Sequence, residues 1–164
     1  MKPALKPAPQ APQRNFIANK DRLSVLVADD DPFVCRLITA ILQDAGIYNV
    51  HAVKDGQEAF NHLKERTFDL AILDIHMPDV NGIALSAQIR ALDRLQRRRT
   101  GIIIMTTQCD AKLLPFVKAN EVDQLCLKPL ARTTFIQRIA AALTSRNQAQ
   151  RGVVAEDDLD AVWI

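Results

Sequence analysis

No apolar run in this chain approaches the roughly 20 residues that span a bilayer, so a transmembrane helix is not expected. The N-terminus, Met1-Lys2-Pro3-Ala4-Leu5-Lys6-Pro7, carries charge but lacks an apolar signal region, which argues against secretion. Charge of one sign is also missing. A formal net charge of +2 is too small to imply nucleic acid or membrane binding by itself. Cysteine is sparse and odd in number: Cys35, Cys109 and Cys126 are widely spaced, without the pairing of a metal site. Two of them sit inside apolar runs and read as buried free thiols, consistent with a reducing cytoplasm.

What is present is one ordinary domain with two flanking segments. A chain of 164 residues with 48% hydrophobic and 24% charged content is long enough to bury a core. Residues 1–22 are Pro-rich and basic and read as a disordered arm. Pro9-Gln10-Ala11-Pro12 within it matches PxxP but reads as a plain tether. From Leu23 the hydrophobic period alternates between two and 3.6. Strands are expected at 24–28, 48–53, 68–73, 102–106 and 125–127. Helices are expected after Pro32, over 56–66, from Ile83 to about Arg97, from Asp110 to about Asn120 with Pro115 kinking or shortening it, and from Phe135 to about Ser145. Five strand-then-helix repeats imply an α/β, doubly wound parallel sheet with the flavodoxin-like order 2-1-3-4-5. The domain is expected at 23–145, with 146–164 as a C-terminal tail.

Four polar signatures fall at the downstream ends of four of these strands. Val25-Leu26-Val27-Ala28 runs into Asp29-Asp30-Asp31, Ala71-Ile72-Leu73 into Asp74, Ile103-Ile104-Met105 into Thr106-Thr107, and Leu125-Cys126-Leu127 into Lys128-Pro129. Open parallel sheets bind ligands outside the carboxyl ends of their strands. Clustered carboxylates repel one another and attract a hard cation such as magnesium. A carboxylate can also act as a nucleophile toward phosphorus, and a lysine and a hydroxyl can then neutralise the phosphoryl oxygens.

The full set, Val27-Ala28-Asp29-Asp30-Asp31-Pro32, Leu73-Asp74-Ile75-His76-Met77-Pro78-Asp79-Val80-Asn81-Gly82, Met105-Thr106-Thr107 and Leu127-Lys128-Pro129, resembles the receiver domain of two-component response regulators. The spacing of these motifs fits that family without a large insertion, over roughly residues 23–145. The resemblance implies that Asp74 accepts a phosphoryl group from a phosphohistidine on a sensor histidine kinase or phosphotransfer protein. It implies Mg2+ held by Asp30, Asp74 and the main-chain carbonyl of His76, with Asp29 helping through water. Thr106 and Lys128 are then expected to contact the phosphoryl oxygens. The chain would act as a stand-alone regulator, catalysing only its own phosphorylation and dephosphorylation. Its output would be a phosphorylation-dependent protein contact, as a monomer or weak dimer, with no nucleic-acid or membrane partner.

The chain departs from the family pattern at three places: Leu125 replaces the usual aromatic switch residue, Glu121-Val122 replaces Gly-Ala, and Thr107 stands where a small residue is usual. Two other readings fit parts of the pattern. One is a phosphorylation-independent scaffold. The other is an aspartyl-phosphate hydrolase of the haloacid dehalogenase type, which places its nucleophile after the first strand. His51, His62 and His76 have no metal-site spacing, and Arg97-Arg98-Arg99 read as complements to a helix dipole. The tail Glu156-Asp157-Asp158-Leu159-Asp160-Ala161-Val162-Trp163-Ile164 reads either as a frayed end or as a docking segment presenting Leu159, Val162 and Trp163.

Overall fold

The computed structural model describes residues 17, 19–108 and 110–161, with side chains as far as residue 152. Cys109, the arm to residue 16 and Val162-Trp163-Ile164 lie outside the described residues, as does the Leu159 side chain.

Five short, mostly apolar runs form parallel strands: β1 (Ser24–Ala28), β2 (Asn49–Val53), β3 (Leu70–Asp74), β4 (Gly101–Thr106) and β5 (Gln124–Leu127). Their order is β2-β1-β3-β4-β5, as the alternation of strand and helix predicts. Between and after them lie α1 (Pro32–Asp44), α2 (Gly56–Glu65), α3 (Gly82–Leu95), α4 (Leu114–Ala119) and α5 (Arg132–Ala161). Alternate residues of each strand point to opposite faces, so a sheet covered on both sides needs apolar side chains at every position. The strands β1, β3 and β4 meet this requirement almost throughout.

Val25, Val27, Leu70, Ile72, Ile103 and Met105 face one layer, where Ile38, Leu42, Phe135 and Ile139 from α1 and α5 meet them. Leu26, Ala28, Ala71, Leu73, Ile102 and Ile104 face the other, against Ala59, Leu63, Leu85 and Ile89 from α2 and α3. Each such Leu or Ile contributes about 1.5–3 kcal/mol on burial. Leu125 is half-buried against this second layer.

The loops at the carboxyl edge are held by helix caps. Asp31 accepts from the Phe33 N–H at 2.8 Å, Asp55 from Glu58 at 2.7 Å and Asn81 from Ala84 at 2.8 Å. Each cap satisfies an otherwise orphaned donor and contributes about 1 kcal/mol.

Three elements differ from expectation. Asp110 caps only a turn, through the Lys112 N–H at 2.9 Å, and α4 begins later, at Leu114. Pro115 thus goes with a shortened α4, not a kinked one, and sits in its first turn, which has no intrahelical use for the missing N–H. The last helix continues past Ser145 to Ala161, tied to the domain by Arg146 and Gln150. At the other end Ile17 is buried and Lys20–Arg22 form a 3-10 turn, so ordered chain begins before residue 23.

Candidate functional site

Strand register brings the acids together. Ala28 pairs with Leu73, so Asp29, the next residue of one chain segment, lies beside Asp74 at the end of the other. Carboxylate oxygens of Asp29, Asp30 and Asp74 all lie within 4.8 Å of one another. Asp29 and Asp74 are buried, at 1% and 5% exposure, while Asp30 is exposed. Lys128, the first residue after β5, reaches across β4 and donates to Asp29 Oδ2 at 2.6 Å, with Asp74 Oδ1 at 3.4 Å. The other Asp29 oxygen accepts the Asp31 N–H at 2.9 Å.

Electrostatics follow from this packing. Burial, and then the neighbouring Asp29 charge, push the Asp74 carboxyl above its ordinary value, although Lys128 works against them. Burial alone would lower the Lys128 ammonium, but the hydrogen bond and charge of Asp29, with Asp74 behind it, outweigh that and raise it. One ammonium faces three carboxylates, so the cleft carries an excess of negative charge built from hard oxygen donors. Such a donor set fits a magnesium-like ion. Among the described residues no other group of three His, Cys, Asp or Glu side chains could hold a metal.

The remaining expected residues are placed less directly. The His76 side chain is exposed, and the main-chain N–H of this residue donates to Asp74 Oδ1 at 3.4 Å. Thr106 closes β4 and is buried, but its hydroxyl donates to the Gln108 carbonyl at 2.8 Å and accepts the Gln108 N–H at 3.2 Å. That hydroxyl is committed to its own loop and not to the acids.

The 77–82 loop beside Asp74 is clamped by two glycines. A β-carbon at Gly82 would lie 2.4 Å from the Asp74 carbonyl oxygen, and one at Gly56 2.2 Å from that of Val80. Asp79 adopts φ 63° inside the same loop. Cys35, a buried thiol, donates to the Asp29 carbonyl at 3.3 Å, and burial with the Asp29 charge pushes it up, away from reactivity. Cys126 is likewise buried and free. His51 and His62 stack tilted, their centres 6.0 Å apart, with Phe68 edge-on to His51.

Sequence reasoning missed the arginines at the opposite edge. Arg98 donates to the Phe68 carbonyl, and Arg99 to Glu121 at 2.5 Å and Asp123 at 3.2 Å. Both lie beyond the end of α3 and act as cross-links, so the helix-dipole reading fails for them. No local signal could have found this, because their partners are 22 to 30 residues away in the chain.

Residues 25–140 match the family described as the response regulator receiver domain. The chain belongs to that family. Among curated relatives of this receiver is the transcriptional regulatory protein ZraR of Escherichia coli O157:H7. It is 33% identical over 111 residues, covering 67% of this chain and 24% of its own length. The regulatory protein VanRB of Enterococcus faecalis is 32% identical over 121 residues, covering 74% of the receiver chain and 52% of its own. The receiver chain thus spans at most about half the length of these relatives. In structure it resembles the chemotaxis protein CheY4 of Vibrio cholerae, with TM-score 0.65 and 27% identity over 71% of this chain and 95% of that one. The receiver's candidate nucleophile ends β3, not β1, which also sets it apart from the haloacid dehalogenase arrangement.

Proposed function

We propose that this receiver is a phosphoacceptor that takes a phosphoryl group onto Asp74 from a histidine kinase or a phosphotransfer protein. The observation that carries the reading is the convergence of Asp29, Asp30 and Asp74 with Lys128 at one sheet edge. Asp74 is assigned as the acceptor because it ends β3, the position that resembles the acceptor of receiver domains, with Lys128 3.4 Å from its Oδ1. Attack by this oxygen forms the acyl phosphate as the donor's P–N bond breaks, and the electron pair and a proton go to the leaving imidazole.

Asp29, Asp30 and Asp74, with the His76 carbonyl, would hold Mg2+. When bound, that ion neutralises charge on the transferring phosphoryl group. Lys128 supplies a further positive charge once it releases Asp29. Thr106 is the hydroxyl donor, which requires its side chain to turn away from Gln108. Output is a phosphorylation-dependent protein contact, and the domain's own chemistry is limited to gaining and losing this phosphoryl group. The extended α5 and the tail are further candidates for contacts with a partner.

Incubation with acetyl phosphate and magnesium should add one hydroxylamine-labile phosphoryl group to the wild type and none to Asp74→Asn. Labelling that survives in the mutant overturns the assignment.

A further inference from the structure

At the amino edge of the sheet, away from the acids, the two ends of the domain leave it side by side. Ile17 is buried in the same apolar layer as Ile139, Ala142 and Leu143 of α5. Between them lies a recess of about 240 Å3, walled by Ile17, Asn19 and Leu23 on one side and by α5 between Ala140 and Asn147 on the other. The polar groups on its rim are already matched. The Thr144 hydroxyl donates to the Ala140 carbonyl at 2.9 Å, Asn147 Oδ1 accepts from Arg146 at 3.0 Å, and Arg146 also holds the Arg99 carbonyl and Asp69. What is left for an occupant is the apolar floor of Ile17, Leu23, Ala140 and Leu143. Such a recess suits an apolar side chain, not a polar ligand.

Chain connectivity names that side chain. Phe16 directly precedes Ile17, so their Cα atoms are about 3.8 Å apart, and the backbone bends at Ile17. Charge points the same way. Residues 1–16 hold Lys2, Lys6 and Arg14 and no acid. The α5 continuation carries Arg146 and Arg151 early but ends in Glu156, Asp157, Asp158 and Asp160, with no basic residue in its last turn. A helix C-terminus is already partially negative, so acids there repel it and one another until cations arrive.

The arm is long enough to supply them. From Thr144 to Asp158 the helix rises about 21 Å. The ten residues from Phe16 back to Lys6 include Pro7, Pro9 and Pro12 and span about 31 Å when extended as polyproline. Those prolines pre-set an extended form and so reduce the entropy lost on docking. We propose that residues 1–16, which lie outside the described residues, fold back on α5 as a strap, with Phe16 in the recess and the cations of the arm along the acidic end of the helix. A partner that uses the α5 continuation must then displace the arm.

Trypsin reads the strap in the full chain. Lys2 and Lys6 each precede proline, where trypsin does not cut, so Arg14–Asn15 is the cleavage site of residues 1–16. Cleavage there should be at least tenfold slower than in a synthetic peptide of residues 7–19. Thr144→Trp fills the recess from the helix side, and Glu156→Gln/Asp157→Asn/Asp158→Asn/Asp160→Asn removes the acids. Each should restore most of the peptide's rate, although neither alters the arm. Melting temperatures within a few degrees of wild type confirm that the variants are folded. Salt at about 0.5 M should speed cleavage of the wild type relative to the peptide, because it screens exposed charges. Wild-type cleavage at the peptide's rate overturns the proposal, as does protection that both variants keep. Protection that disappears on dilution places the arm on a second copy of the chain and overturns it equally.

Discussion

Lys128 sits between two carboxylates that would otherwise repel, 2.6 Å from one and 3.4 Å from the other. Removing it leaves two buried acids without their cation. Lys128→Met should therefore lower the stability of the metal-free protein by about 1–3 kcal/mol, read from urea unfolding at neutral pH. The pH dependence follows from the two raised values. Lys128 contributes its full stabilisation below its ordinary value of 10.5 and loses it as pH rises through the higher folded value. Asp74 has the same sign at the acid end. Its raised carboxyl favours the fold when protonated, below the ordinary 3.8, and that contribution is lost as pH rises through the folded value. In EDTA, Asp74→Asn should therefore be more stable than wild type at neutral pH, and the gain should vanish at pH values below about 3.8. An equal gain at both ends would show that Asp74 carries no burial penalty.

Asp30 makes a sharper case, since it is exposed and still part of the triad. Asp30→Asn relieves like-charge repulsion and should raise the melting temperature of the metal-free protein. The same change should remove most of the stabilisation by magnesium. For a native-state ligand that stabilisation is roughly 2.7 kcal/mol at a hundredfold excess over Kd. A thermal scan with and without the ion reads both effects, and an unchanged magnesium response in the mutant rules Asp30 out as a ligand.

The elements are positioned by contacts of two kinds: close backbone approach near the acids and ionic cross-links at the opposite edge. The start of α3 rests against the Asp74 backbone, and Gly82 leaves no room for a β-carbon there. Gly82→Ala forces α3 or the end of β3 to shift and should lower stability by about 1–3 kcal/mol, with slower labelling of the proposed acceptor. At the other end of α3, Arg90 ties the helix to β4 and β5 through Thr100, Glu121 and Asp123. Asp123 in turn accepts the Ile102 N–H at 2.8 Å. Arg90→Met removes an ion-pair partner from each of the buried Asp93 and Asp123 carboxylates and should be destabilising by about 3–5 kcal/mol, measured by urea midpoint. By contrast α4 has no buried residue and exposes Leu114 and Phe116, so substitutions there should scarcely alter stability.

Over the whole molecule, two packed layers supply most of the stability and the α5 continuation adds little. Arg146 and Asp69 are each about a quarter exposed, and such pairs are worth at most about 1 kcal/mol. A chain ending at Ser145 should still fold cooperatively, with a loss of no more than about 2 kcal/mol, and should still be labelled at Asp74. Failure of that truncated chain to fold would mean that the continuation belongs to the core.

Much of this architecture is legible in the linear order of residues, for a local reason. Strand and helix periods are set by neighbours a few residues apart, so the five repeats, the sheet order and the apolar layers follow from patterning alone. The acids and Lys128 are legible too, because a polar residue that ends an apolar strand must lie at the sheet's carboxyl edge. Other features depend on residues far apart in sequence. The Thr106 hydroxyl turns to Gln108, where loop geometry offers both a donor and an acceptor. Arg90 reads as surface on a helical pattern, yet it is buried because Asp123, 33 positions away, pairs with it. The last helix continues beyond Ser145 because Arg146 finds Asp69, 77 positions earlier. Sequence determined which elements form and where their polar ends fall. Tertiary structure decided which charges are paired, since an ion pair is a matter of distance in space.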